Sequence, residues 1–491
     1  WFGDLDFGMI YVDDPMPKFA DWRGLDDDWF FHLDGNSNYR NEQGYYFEFY
    51  GRNLGLESRD LDMRGGKAGR YELRASYQEI PRYLGHGTVS PYAGVGTDVL
   101  TLPADWDQTA GNDNSFAPVA LESKRKRLGA GLTFKMGRKW SYELDVERQT
   151  RKGTEAFGGG VFPFNGVAFP APVDYTTDLF DMGLKFIGEQ AQIRLGFMGS
   201  EFDNGYRSVS YDNPFSLGFG DDVAQRALEP DNEYAQVNLT GAWRISKRFR
   251  VSGKAAAGEM KQNVAFLPYT TNPQYADLAL PRSSLNGKVE TSVYKLAGRA
   301  YLKLADRLDL TAYYKVDERD NKTPVDEYTP VMMDVFVSSP RSNRPYGYER
   351  KQGVAELRYR PSYKIRLNAG IKRDERERTY QEIIKADEDS YWGEIQFVAW
   401  SWLDTRLKYE SLKRDTDDHV QQGNYDRDEH PLMRKFNMAD RDRKRYTVEF
   451  NVTPMERMSI ALSWYQTSDD YDESVIGLTD GEDSAINLDF N

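Results

Sequence analysis

The sequence predicts an all-β chain built as one large antiparallel, up-and-down transmembrane β-barrel. Three observations predict it. Apolar and polar side chains alternate with period two from one end of the chain to the other. The connections between the alternating runs are short and long by turns, the pattern of a barrel with short periplasmic turns and long extracellular loops. The chain is also polar overall, with a mean hydropathy of -0.73, yet holds 32 Tyr, 26 Phe and 10 Trp. That aromatic content excludes disorder and suits a wall that is apolar only at alternate positions.

The alternation opens at Leu5, Phe7, Met9 and Tyr11, interleaved with Asp4, Asp6 and Gly8. Residues 45–85 read as two long extended segments joined by a tight glycine-containing turn. Phe180, Met182, Leu184 and Phe186 then alternate with Asp181, Gly183 and Lys185, and Ile193, Leu195 and Phe197 flank Arg194 and Gly196. Leu308, Leu310, Ala312, Tyr314 and Val316 interleave with Asp309, Thr311, Tyr313 and Lys315; Ile365, Leu367, Ala369 and Ile371 oppose Arg366, Asn368 and Lys372. Tyr446, Val448, Phe450 and Val452 follow, then Met458, Ile460, Leu462 and Trp464.

Short turns are predicted at "MGRKW", "IGEQA", "ISKRF", "LADRL", "RPSYK" and "TPMER". Long polar segments are expected at 154–172, 202–232, 264–290, 320–350 and 413–440. The count comes to about 19 strands. The closing "SAINLDFN" reads as a strand starting without its partner, and an even-stranded barrel predicts further strands after it. With no linker and no break in composition, residues 1–491 read as a single barrel domain.

Composition excludes several function classes. No run of 18 apolar residues exists, so a transmembrane helix is excluded. The absence of Cys rules out disulfides, zinc–thiolate sites and covalent c-type haem on this chain, and suits an oxidising periplasm. A net charge of -14 argues against nucleic acid as a partner. No signal-like segment opens the chain at Trp1, so an export signal is expected to have been removed.

A wall of 19 to 26 strands would enclose a cylinder roughly 35–50 Å across, and barrels that wide are normally plugged. The longest irregular segment, 86–126, could fold inward but is far too small to fill such a lumen. The width therefore asks for a second protein inside. The predicted lumen face carries both signs: Arg299, Lys303, Lys315, Arg358, Arg366 and Lys372 beside Glu356, Glu394 and Glu449. Such a face suits docking of a folded partner; it equally suits a face that only keeps a pore wet. Residue physics leaves the two open.

The stretches "KFADWRGLDDDWFF", "YYFEFYGRNLGLESRDLDM" and "GRYELRASYQEIPRYLGHGTVSPYAGVGTDVLTLPADW" resemble the N-terminal third of the MtrB/PioB family of decahaem-associated outer-membrane proteins. The motif residues are Gly51, Arg52, Asn53 and Gly55; Tyr77 and Pro81; Pro91, Gly94 and Gly96; and Leu102 with Pro103. The resemblance is dense over residues 18–106. It implies a barrel of about 26 strands in the bacterial outer membrane, sheathing a periplasmic multihaem (decahaem-type) c-type cytochrome. A second multihaem cytochrome sits at the outer mouth in such assemblies. Haems would belong to the partners, no cofactor to this chain, and the barrel would itself be no enzyme. Some members carry an N-terminal Cys pair that this chain lacks. The alternative is a wide solute pore or polymer-export porin without a haem partner.

Other candidates favour ordinary readings. His32, His86, His419 and His430 are too few and scattered to ligate a haem series. Asp34, Asn36 and Asn38 begin like a calcium loop, but Tyr39 and Tyr45 stand where Gly and Glu belong. "SDDYDE" and "DGEDS" could hold calcium at the surface. "GGG" at 158–160 lacks the Lys and Ser/Thr of a phosphate loop and reads as a flexible loop. No nucleophile–base set points to catalysis, and no catalytic or metal residue is assigned. For Arg52, Asn53 and Pro81 two readings stand. One is contact with a partner or with the 86–126 segment. The other is close packing at Gly51 and Gly55, with Arg52 paired to a lumen carboxylate.

Overall fold

A computed structural model describes residues 1–13, 22–25, 28–85, 87–107, 115–161, 165–215, 222–268, 270–272, 289–328, 331–332, 335–336, 340–420, 430–455, 457–471 and 474–490. The architecture is an antiparallel meander of 20 strands in one sheet. The strands are β1 (Phe2–Val12), β2 (Asp28–Arg40), β3 (Tyr45–Arg52), β4 (Asp60–Lys67), β5 (Tyr71–Gly85), β6 (Leu121–Met136) and β7 (Trp140–Val161). Next come β8 (Asn165–Ile187), β9 (Ala191–Asn204), β10 (Asn232–Arg244), β11 (Phe249–Gln262), β12 (Val289–Ala305) and β13 (Leu308–Asn321). The last are β14 (Tyr348–Ser362), β15 (Ile365–Arg378), β16 (Lys385–Trp400), β17 (Leu403–Thr416), β18 (Arg441–Met455), β19 (Met458–Asp470) and β20 (Asp480–Phe490). Each strand hydrogen-bonds to the next in sequence. Turns of two to four residues join β2–β3, β4–β5 and every later pair at the same end of the wall, and the long connections gather at the other.

Four sequence expectations need correction. Residues 45–85 form three strands, because 53–59 reverses the chain. Residues 154–172 are the top of a tall hairpin: β7 has 22 residues and β8 has 23, about twice what hydrocarbon requires. The segment at 158–160 is strand. The final segment is a full strand, paired from Asp480 to Phe490 with β19. The sheet thus holds one strand more than the expected count.

Register explains the two faces. On β13, Leu308, Leu310, Ala312, Tyr314 and Val316 share a face with Leu357 and Tyr359 of β14, and with Leu296 and Leu302 of β12. The same apolar face continues through Ile371, Ile395, Leu407, Val448 and Leu462. Nine residues of a tilted strand make a band about 20–25 Å tall. Its upper edge carries Tyr314, Tyr391, Tyr409, Tyr446 and Trp464, with Tyr409 and Tyr446 in contact at 5.1 Å between ring centroids. Trp140 and Phe186 (5.0 Å), and the stacked Trp400 and Trp402 (5.4 Å), lie at the short-turn end. Indole and phenol rings favour such interfacial positions. Above the upper edge this same face turns charged: Arg373 pairs with Glu375, Asp387 and Asp389 at 2.7, 2.9 and 3.0 Å.

The largest packed core lies outside the band, where the long connections meet. Val161, Val167, Phe169 and Ala171 of the tall hairpin pack with Tyr92, Leu100, Val209 and Tyr211. Val99–Leu100, Ser208–Asp212 and Val223–Ala227 form a small sheet over the hairpin. The Tyr211 ring stacks on Phe169 at 4.3 Å, and its hydroxyl donates to the Gly160 carbonyl at 2.9 Å. Gly159 makes this possible: a Cβ there would lie 2.6 Å from Tyr211 Cζ. This cap packs on the face opposite to the apolar band, so Tyr92, Leu100 and Leu102 of the segment expected at 86–126 lie on the inner side, whereas 121–126 begin β6.

Two outcomes test the cap. Gly159→Val should weaken it by about 1–3 kcal/mol, seen as faster proteolysis within 205–231 while the wall stays intact. Burial, with Asp212 and Tyr211 close by, pushes the Tyr92 phenol above its ordinary 10.0. The stability this group contributes is complete below pH 10 and declines as pH rises toward the raised value. Alkaline titration should therefore open the cap together with phenolate absorbance, and Tyr92→Phe should remove that step.

Candidate functional site

The face opposite the apolar band is a continuous polar surface held by side-chain ion pairs. Across β14–β18 one chain of contacts runs strand to strand. Glu356 pairs with Arg358 at 3.2 Å, and Arg358 donates to Asn368 at 3.3 Å. Asn368 donates to Glu394 at 2.7 Å, and Arg406 bridges Glu394 at 2.8 Å and Glu449 at 3.1 Å. These residues become neighbours because the two-residue turns at 363–364 and 401–402 fix which residues of adjacent strands lie side by side.

A second tier lies nearer the long loops. Asp374, with no exposed surface, accepts both arms of Arg350 at 2.9 and 2.5 Å, and further bonds from Gln352 and Arg376 at 3.2 Å. Glu388 lies between Lys372 (3.6 Å) and Arg441 (3.4 Å), and Arg443 grips Asp469 through two bonds of 2.6 Å. The N-terminal half repeats the scheme. Glu48 pairs with Arg64 at 2.5 Å; Arg74 joins Glu72 (3.4 Å) to Asp145 (2.7 Å); Arg194 joins Glu143 (3.2 Å) to Asp181. Paired charges of this kind keep a wall wet without giving it a strong field of one sign.

All nine residues expected to face the lumen lie on this surface. Most are held by the wall itself. Lys303 pairs with Asp306 at 3.1 Å, Lys315 with Asp317 at 3.2 Å, and Lys372 with Asp374 at 3.4 Å. Arg366 donates to Gln396 at 2.7 Å, and the Arg299 guanidinium sits over the Tyr313 ring at 5.7 Å. The lumen candidates left out Arg406, Asp374, Asn368 and Arg194, which hold the network together, although the alternation had put Arg194 and Asn368 on the polar face. Their positions on alternating strands were visible; their partners depend on register.

The motif residues do not form one site. Arg52 pairs with Asp60 of the next strand at 3.1 Å, on the polar face. Asn53 adopts a left-handed backbone (φ 54°) and its N–H donates to Asp34 at 2.6 Å, closing the 53–59 reversal. A Cβ on Gly55 would run into the Phe31 carbonyl, and one on Gly51 would lie 3.0 Å from Leu54. Tyr77 bonds Glu79, and Pro81 is fully buried beside Gly24. Pro91, Gly94, Gly96, Leu102 and Pro103 belong to the cap, where Leu102 N–H donates to Asp212 at 2.7 Å and Trp106 Nε1 to the Pro214 carbonyl at 3.0 Å. Gly94 and Gly96 have φ of 82° and 88°. Close packing holds Gly51, Gly55 and Pro81, whereas Arg52 and Gly96 are exposed.

His32 lies 3.3 Å from Asp34 on β2, so Asp34, Asn36 and Asn38 are alternate strand residues and form no calcium loop. His86 and residues 472–473 lie outside the described residues. Among the described residues no group of three or more His, Asp or Glu is placed to hold a metal ion.

Residues 11–491 match the family described as outer membrane beta-barrel porin, MtrB/PioB. The outer membrane protein MtrB of Shewanella baltica (strain OS185) is 28% identical over 491 residues, covering 98% of this chain and 69% of that protein. Among solved structures, the ferric yersiniabactin uptake receptor FyuA of Yersinia pestis aligns at 10% identity with a TM-score of 0.44, over 94% of this chain and 70% of its own. The ferric-catecholate import receptor Fiu of E. coli K12 aligns at 9% identity with a TM-score of 0.45, over 99% and 73%.

The ribbon centred on Arg406 yields a stability test. Arg406→Gln leaves Glu394, only 11% exposed, without its cation and should cost about 1–3 kcal/mol in detergent unfolding. Adding Glu394→Gln should recover part of that loss, and a double-mutant cycle with no coupling would refute the bridge.

Proposed function

The chain belongs to the MtrB/PioB family of outer-membrane β-barrel porins, and from that premise we propose that it sheathes and positions a multihaem c-type cytochrome for electron transfer across the outer membrane. The observation that carries this reading is a polar, self-paired inner surface on a wall too wide to seal itself. Twenty strands correspond to a cylinder of about 40 Å, before side chains narrow it. Among the described residues, the cap packs against the inner face of one tall hairpin and does not extend along the rest of the lining.

The division of labour follows from chemistry. This chain has no Cys, so covalently attached c-type haems belong to the protein inside it. The wall's tasks are physical. Its apolar band meets lipid, its polar face presents hydrogen-bonding groups to a folded protein, and together they keep the haem chain out of hydrocarbon at a fixed depth. A second multihaem cytochrome at the outer mouth would receive or supply electrons. The barrel does no redox chemistry and is no enzyme on this reading. Lumen charges paired at 2.5–3.6 Å support a passive lining, since charges already satisfied by the wall demand no particular ion.

Detergent extraction of the complex tests it. A c-type haem absorption band should travel with this Cys-free chain at fixed stoichiometry, and the filled barrel should pass little ion current in a planar bilayer. A colourless preparation with large, steady conductance would establish the open solute pore instead.

A further inference from the structure

One sector of the inner face departs from the paired scheme. On β10, β11 and β12 the inward positions carry Arg244, Arg250, Lys254, Lys295, Arg299 and Lys303, and no carboxylate at all. Glu233, Glu259 and Glu290 of these strands belong to the other face. Among the described residues, Lys303 alone of the six forms an ion pair, with Asp306 of the adjoining turn. Lys295 stands across from Asp317, which Lys315 already holds at 3.2 Å. Arg250 and Arg299 lie over the rings of Tyr301 and Tyr313 at 6.0 and 5.7 Å, and Arg244 donates to the Glu189 carbonyl at 3.1 Å. Beyond the sector, Asp309 accepts from Arg360 and Tyr301, each at 2.8 Å, and Glu189 of the 188–190 turn borders the stripe beside Arg244.

The side chains between these cations are small: Thr240, Ala242, Ser252, Ala256 and Ala297. Arg244, Arg250, Lys254 and Arg299 therefore stand exposed above a low floor. A recess of about 470 Å³ beside the short turns is lined by Arg244, Arg250, Arg299 and Tyr301. In a chain of net charge -14, three adjacent strands without one inward acid make a basic stripe starting at the periplasmic mouth. Like charges left unpaired on one surface repel each other, and a complementary surface relieves the cost.

We propose that this stripe is the docking surface for an acidic face of the protein held in the lumen, whose carboxylates seat against Arg244, Arg250, Lys254 and Arg299. The inference rests on the sheath reading above and adds the chemistry and the sector of the contact. It biases the rotational position of the inserted protein, because across β14–β18 the lining is tied up in pairs of its own.

The test uses the native complex extracted in detergent, with haem absorbance per chain followed as salt is raised. Arg250→Gln/Lys254→Gln/Arg299→Gln should retain about tenfold less haem at moderate ionic strength, where contacts between charged surfaces are partly screened. Lys351→Gln/Lys413→Gln/Lys444→Gln removes equal charge from the outward face above the band and should behave as wild type. Arg250→Lys/Arg299→Lys keeps the charge and should keep the haem; loss there would overturn the charge-based contact. Heat-dependent gel mobility reports whether each variant is folded, and should the triple variant not fold, Lys254→Gln alone should lose its haem at a lower salt concentration than wild type. Equal haem retention by the folded stripe variant and wild type overturns the docking surface and leaves the sheath standing. A wild-type chain that brings no haem protein overturns both.

Discussion

Hydrocarbon supplies no hydrogen bonds, so a chain that crosses it in extended form must pair every backbone amide with a neighbouring strand. The rest of this structure follows from that requirement. Pairing to both sides makes a sheet, antiparallel pairing through turns of two to four residues makes a meander, and the pleat sends successive side chains to opposite faces. One face must then satisfy lipid and the other water. The 39% hydrophobic content that would be too small for a globular core of this length is enough, because only alternate residues over nine or so positions need be apolar.

The polar face has its own constraint. Arg and Lys on one strand lie within reach of Asp and Glu on the next, and partly buried charges are costly unless matched. Over most of the wall they are matched laterally, as in the run from Glu356 to Glu449. Such pairs tie neighbouring strands to one another and stabilise register as much as they stabilise the fold. Packing of the usual globular kind is left to the cap, where Tyr92, Leu100, Val209 and Tyr211 meet the tall hairpin.

Much of this was legible in the sequence, and the failures are instructive. The period of two placed Arg299, Lys315, Glu394 and Glu449 on the correct face, and dipeptides such as Gly137-Arg138 and Ser246-Lys247 marked true turns. The segment "GTEAFGGGVFPFNGVAFPAP" read as loop because Gly and Pro punctuate it. In the fold Gly159 makes room for Tyr211, a residue more than fifty positions away. Lumen partners were invisible for a related reason: Arg406 finds Glu394 and Glu449 only after two registers are fixed. The motif around Gly51–Gly55 stands out as a string of letters, yet its purpose is a tight reversal against Phe31.

The two rims of the wall differ in evenness, and this has a geometric consequence. Turns of two to four residues keep one rim of the wall even, whereas the hairpin of β7 and β8 rises far beyond the band at the opposite rim. On the sheath reading proposed above, turns of such even length give a guest protein little shape by which to tell one angle of approach from another. Its azimuth would then be left to the electric texture of the lining, like a key turned by magnets in a smooth lock.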